Sequence, residues 1–194
     1  MKENKILYNI SRGIYKVLLR ILYNPKVKGK ENIPLEGSCL LVGNHVHAYD
    51  GILVMAQTKR FVHYFAKIEI FKGIHGKFFE AIGLIKVDRK KGSPASTLEA
   101  IKCLNNGGVI GIFPEGTRNK TKEDLLRFKK GAVSMAIKTK APIVPFAIQG
   151  TYKIFRKRPK IIFGEPIDVS NMEINEANEF VKDKILNLLK NSKI

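Results

Sequence analysis

Four short runs with almost no charged residue, at 38–43 (SCLLVG), 61–66 (FVHYFA), 108–113 (GVIGIF) and 142–147 (PIVPFA), punctuate the chain. Between them, residues 48–57, 94–105 and 129–138 carry helical periodicity. A strand that is apolar throughout has to be covered on both faces, and parallel neighbours need a crossover to bring the chain back to the same edge. The alternation predicts an α/β fold: one domain with a largely parallel central sheet flanked by helices. Weaker strand signals stand at 84–87 and 160–164. Residues 173–190 predict a closing helix with Ile174, Ala177, Val181, Ile185, Leu188 and Leu189 on its apolar stripe. At 194 residues such a domain needs no staples. Cys39 and Cys103 sit in apolar stretches without metal-ligand spacing and are expected to be reduced.

Residues 5–23 form a second kind of pattern. Wound at about 100° per residue, they place Ile6, Ile10, Ile14, Val17, Leu18, Ile21 and Leu22 on one arc. Lys5, Arg12, Lys16 and Arg20 fall opposite, and Tyr8 and Tyr15 stand on a border between the faces. This distribution fits a helix lying in a lipid interface, and it also fits a surface helix packed on its own domain. Charges interrupt any spanning segment, and Pro25 ends the helix. The expected division is a membrane-associating helix over 1–24 and a catalytic-sized domain over 25–194. No secretory signal is evident, so the cytoplasmic face of the cell membrane is the expected location.

The charge balance is lopsided: 35 Lys and Arg against 17 Asp and Glu give a formal net charge of +18. Such a surface seeks polyanions, whether nucleic acid, anionic lipid or an acidic carrier. Basic clusters stand at Lys86–Arg89–Lys90–Lys91 and at Lys153–Arg156–Lys157–Arg158–Lys160, the second with Tyr152 and Phe155 beside it. No nucleic-acid-reading fold signature accompanies them.

Two segments carry chemistry. In NHVHAYD, with Asn44, His45 and Asp50, a His is followed five residues later by an Asp where a strand gives way to a helix. The carboxylate can receive one imidazole N–H and leave the opposite nitrogen as a base. His47 has no acidic residue at the same spacing and is expected to be structural or solvent-facing. In FPEGTRN, residues 113–119, a glycine turn directly after an apolar strand presents Thr117 and Arg118 beside Glu115 and Gly116. Backbone N–H groups, a hydroxyl and a forked guanidinium suit a phosphate monoester, with Glu115 available to hold Arg118 or an acceptor hydroxyl. An ordinary turn with a surface ion pair has the same composition. Lys67 and Arg89 each follow a strand-like run. No G-x-S-x-G, Walker loop, G-x-G-x-x-G or Cys/His metal cluster is present, so neither a nucleophile elbow nor a bound metal or cofactor is expected.

In order along the chain these segments resemble the glycerolipid acyltransferase family, and specifically its short bacterial 1-acylglycerol-3-phosphate acyltransferases. NHVHAYD is similar to the family's first block, IKVDR (85–89) to the second, FPEGTR to the third and IVPFAIQG (143–150) to the fourth. GKENIP, FAKIEIF and FGEPI are also similar to family segments, so the likeness runs from about Val27 to Ile167. The first block often carries Ser where His47 stands here. The resemblance implies His45 as general base and Asp50 as its orienting partner. It implies Glu115, Gly116, Thr117 and Arg118 at the acceptor, with Arg89 and Lys67 binding substrate. The implied reaction moves a fatty acyl group from acyl carrier protein or coenzyme A to a lysophospholipid hydroxyl at an anionic membrane surface, without a covalent intermediate. Glycerol-3-phosphate or another lysolipid is the alternative acceptor. A basic nucleic-acid-binding module is the alternative from another class, and it leaves both chemical segments unexplained; nucleic acid is therefore not an expected partner.

Overall fold

The computed structural model describes residues 3–88, 94–154 and 158–191, at residue 74 the backbone alone. It contains a seven-stranded sheet in the order β1-β7-β6-β2-β5-β3-β4. The strands are β1 Lys26–Lys28, β2 Cys39–Gly43, β3 Val62–Lys67, β4 Ile85–Val87, β5 Val109–Ile112, β6 Ile143–Gln149 and β7 Lys160–Phe163. The helices are α1 Lys5–Leu22, α2 Asp50–Met55, α3 Ile74–Ala81, α4 Pro94–Asn105, α5 Gly131–Thr139 and α6 Ile174–Lys190. All pairings are parallel except β6 with β7. Among the described residues of that connection no helix carries the chain back, and the following strand runs the other way.

The predicted runs became the central strands because they can be buried on both sides. All five residues of β2 are buried, as are all four of β5. Successive side chains alternate between two cores. Leu40, Val42, Ile110 and Ile112 pack under α4, α5 and α6, whereas Leu41, Val109, Val144 and Phe146 pack with Leu53 and Val54 of α2 and Leu19 of α1. Both cysteines are free, and burial pushes their thiols up, to about 11 for Cys39 and about 12 for Cys103. Two elements, β1 and α3, had no sequence signal of their own.

Helix α1 lies against the domain along its tyrosine border. Tyr8, Ser11 and Leu19 are buried. The Val62 N–H donates to the Tyr8 hydroxyl at 2.9 Å, and that hydroxyl donates to the Arg60 carbonyl at 3.3 Å. Arg12 donates to the Thr58 carbonyl at 2.9 Å. The aliphatic arc turns outward, with Ile6 74% exposed and Ile10, Ile14, Val17 and Ile21 all above half. No helix among the described residues is long and apolar enough to cross a membrane.

Candidate active site

The carboxyl ends of β2 and β5 lie side by side, and the two chemical segments leave the sheet there, the position where open α/β sheets place their sites. Close packing is needed at this exit. A Cβ on Gly43 would stand 2.3 Å from the Phe146 ring and 2.4 Å from its carbonyl oxygen, so only glycine fits. Just beyond, the Asn44 amide donates to the Ile148 carbonyl at 2.9 Å and accepts from the Ile148 N–H at 2.7 Å. It thereby extends the β2–β6 ladder and fixes where His45 emerges.

The His45–Asp50 spacing closes as expected. Nδ1 of His45 is 2.9 Å from Oδ2 of Asp50, which is fully buried at the start of α2. The same oxygen accepts the Val46 and His47 N–H groups, each at 2.7 Å. A carboxylate so placed accepts a hydrogen bond from Nδ1–H, which keeps the proton on Nδ1 and leaves Nε2 as the open lone pair. The imidazole stacks on Phe113, with centroids 4.2 Å apart. His47 is oriented differently: its Nδ1 accepts from the Tyr49 N–H at 3.3 Å and its ring stacks on Tyr152.

Glu115 has a different role from the one its neighbours suggested. It is 5% exposed, and its two oxygens accept the N–H groups of His45 (2.8 Å) and Leu126 (2.9 Å) rather than holding Arg118. Burial raises its pKa, against the lowering effect of those two bonds. The Asn119 N–H donates to the His45 carbonyl at 2.6 Å, so the FPEGTRN segment grips the His45 backbone from both sides. Gly116 takes a left-handed φ of +69°, and a Cβ there would meet the Lys129 ammonium at 2.9 Å. Thr117 and Arg118 are exposed on the same loop, and Lys67 is exposed at the carboxyl end of β3. Arg89 lies outside the described residues, as do Lys90, Lys91, Phe155, Arg156 and Lys157.

A cavity of about 500 Å³ opens at His45. Phe113, Tyr64, Met55, Phe78, Phe79 and Met135 give it an apolar wall, Lys129 and Gly116 also line it, and Tyr8, Ser11 and Tyr15 bring α1 into its lining. Its size is that of a ligand pocket. Lys129 and Tyr152 carried no sequence signal of a site role, reading as a surface charge and a basic-cluster neighbour, and Phe113 entered only as the first residue of FPEGTRN.

A parallel α/β sheet bearing a buried Asp, its oriented His and an apolar cavity at the carboxyl ends of its strands has the layout of an enzyme for a largely apolar substrate. The Acyltransferase family profile matches residues 24–149. The 1-acyl-sn-glycerol-3-phosphate acyltransferase of Bacillus subtilis (strain 168) is 36% identical over 167 residues, covering 83% of this chain and 82% of the relative. The enzyme of that name from Borreliella burgdorferi is 30% identical over 179 residues, 84% of this chain and 68% of its own. In fold, the chain is similar to the crystal structure of the 1-acyl-sn-glycerophosphate (LPA) acyltransferase PlsC from Thermotoga maritima. The TM-score is 0.80 at 24% identity, over 96% of this chain and 79% of that one. The chain belongs to the acyltransferase family.

Proposed function

We propose that the protein transfers a fatty acyl group from an acyl carrier protein or coenzyme A thioester to the free hydroxyl of 1-acylglycerol-3-phosphate. The product is phosphatidic acid, and the enzyme works on the cytoplasmic face of the membrane. The observation that carries this reading is the open Nε2 of His45 at an apolar cavity, its Nδ1 fixed 2.9 Å from a fully buried carboxylate. The names borne by the Bacillus and Borreliella relatives support the acceptor.

An alcohol is a weak nucleophile at neutral pH, so a base must take its proton as it attacks. The acceptor oxygen bonds to the thioester carbonyl carbon while Nε2 accepts the hydroxyl proton. Asp50 holds the tautomer and stabilises the imidazolium. Collapse of the tetrahedral oxyanion breaks the C–S bond, and the imidazolium returns the proton to the departing sulfur. The products are an ester and a free thiol, with no covalent enzyme intermediate. Gly116, Thr117 and Arg118 form the phosphate grip, with Lys129, Lys67 and Arg89 as further cations; Glu115 holds that loop against His45. The apolar wall receives the acyl chain.

The test is incubation with labelled acyl thioesters and a panel of phosphorylated and unphosphorylated acceptors. Transfer to 1-acylglycerol-3-phosphate should far exceed transfer to monoacylglycerol, and Arg118→Ala should raise the acceptor's KM more than the donor's. Preference for glycerol-3-phosphate would reassign the acceptor. An Arg118→Ala effect confined to the donor would move the phosphate grip to another cation.

A further inference from the structure

The Asp50 carboxylate has a fourth donor, far away in sequence from its own loop. After β6, Gly150 turns the chain with a φ of +86°, and Tyr152 folds back over the start of α2. Its hydroxyl donates to Oδ1 of Asp50 at 2.7 Å, the oxygen left over once Oδ2 has taken His45, Val46 and His47. The ring is held in place by its neighbours. It stacks on His47 (4.4 Å, 22° between planes) and meets Tyr23 and Tyr49 edge-on at 5.5 and 5.9 Å.

Building on the assignment of His45 and Asp50 as the base pair, we propose that Tyr152 is a positioning residue for acyl transfer, locking the Asp50 carboxylate through Oδ1 and tempering the charge it presents to His45. The three donors on Oδ2 fix one oxygen, about which the carboxylate can pivot; a donor on Oδ1 removes that freedom. A hydrogen bond also spreads the carboxylate's charge, which weakens its stabilisation of an imidazolium. Burial, together with the adjoining carboxylate, pushes the Tyr152 phenol far up, so it remains a donor throughout the working range. The other titratable groups facing this carboxylate are His45 and Tyr64; the His47 ring and Tyr23 flank Tyr152 itself, and Glu115 stands behind the His45 backbone.

Tyr152→Phe removes the hydroxyl and keeps the ring stack. It should lower kcat about tenfold, the loss of one hydrogen bond of about 1.4 kcal/mol, with both KM values within about twofold of wild type. The acid limb of kcat/KM should move to higher pH, because an untempered carboxylate favours the imidazolium. In an Asp50→Asn background the same substitution should have little further effect, whereas a purely structural role would add its cost there too. Tyr152→Leu, which also removes the stack, should lose no less than the Phe variant. Wild-type kcat and an unmoved acid limb in Tyr152→Phe, beside an inactive His45→Ala, would overturn the Tyr152 proposal alone. Additive losses with Asp50→Asn, or a loss seen only with Leu, would overturn it as well. Retained activity in His45→Ala would overturn the base assignment, and with it this one.

Discussion

At the scale of single residues, His45 is restrained before substrate arrives: Asp50 fixes its ring, Phe113 stacks against one ring face, and Glu115 and Asn119 hold its backbone. His45→Ala should abolish transfer with the fold intact, and Asp50→Asn should cost several orders of magnitude by admitting the wrong tautomer. His47→Ala should stay within about tenfold of wild type, since that ring faces Tyr152 and contributes only its backbone N–H to Asp50. A His47 variant weaker than the His45 variant, with both folded, would reverse the assignment. Glu115→Gln replaces an acceptor oxygen by an NH2 group that cannot receive a backbone N–H. It should cost about 1–3 kcal/mol of stability, measured by denaturant melts, and should reduce kcat by slackening the His45 loop. The His45–Asp50 pair was legible because five residues fit one turn. Glu115 was legible as a site residue but not as a clamp, since its partners are backbone groups. Tyr152 was illegible because 102 residues separate it from Asp50 and only the turn at Gly150 brings them together.

Among the elements, the strands that the sequence announced most plainly include β2 and β5, which are buried throughout, whereas the weaker signal at 84–87 became the edge strand β4 with Lys86 exposed. β1 escaped notice because a three-residue edge strand, KVK, owes its pairing to β7 and not to its own pattern. α3 is eight residues long with Gly76 inside it, so its helix depends on packing beside the Ile68–Phe71 turn. Helix α1 was legible in its periodicity but not in its orientation: the border between its faces, not its aliphatic arc, meets the domain. Tyr8 is one of its attachments, beside Arg12 and Leu19, and burial raises its hydroxyl to about 12 and so keeps it protonated. Tyr8→Phe leaves the Val62 N–H without an acceptor and should cost about 1–3 kcal/mol. Hydrogen exchange should show the loss as faster opening of α1 and the start of β3, while exchange in α6 changes least.

For the whole molecule, a surplus of 18 positive charges and an outward aliphatic stripe on α1 are the two features that favour an anionic bilayer. Ile10→Lys with Ile14→Lys adds positive charge while removing apolar contact, and it spares the buried Tyr8, Ser11 and Leu19. The double variant should sediment far less with anionic liposomes at high salt, where screening removes the electrostatic share, and it should acylate bilayer-borne acceptor poorly while its thermal midpoint holds. Unchanged sedimentation at high salt would place the lipid-facing surface elsewhere. If the stripe does rest on lipid, the placement of α1 has a consequence for product traffic. The inner side of this helix lines the cavity and its outer side would then meet the bilayer, so an acyl tail in the cavity would lie one helix diameter, about 10 Å, from its destination. The shortest way out is then sideways, past a helix that leans aside, and not through a mouth into water. A long-chain product would never have to be hydrated, and the two hydrogen bonds of Tyr8 would govern how often that side door opens.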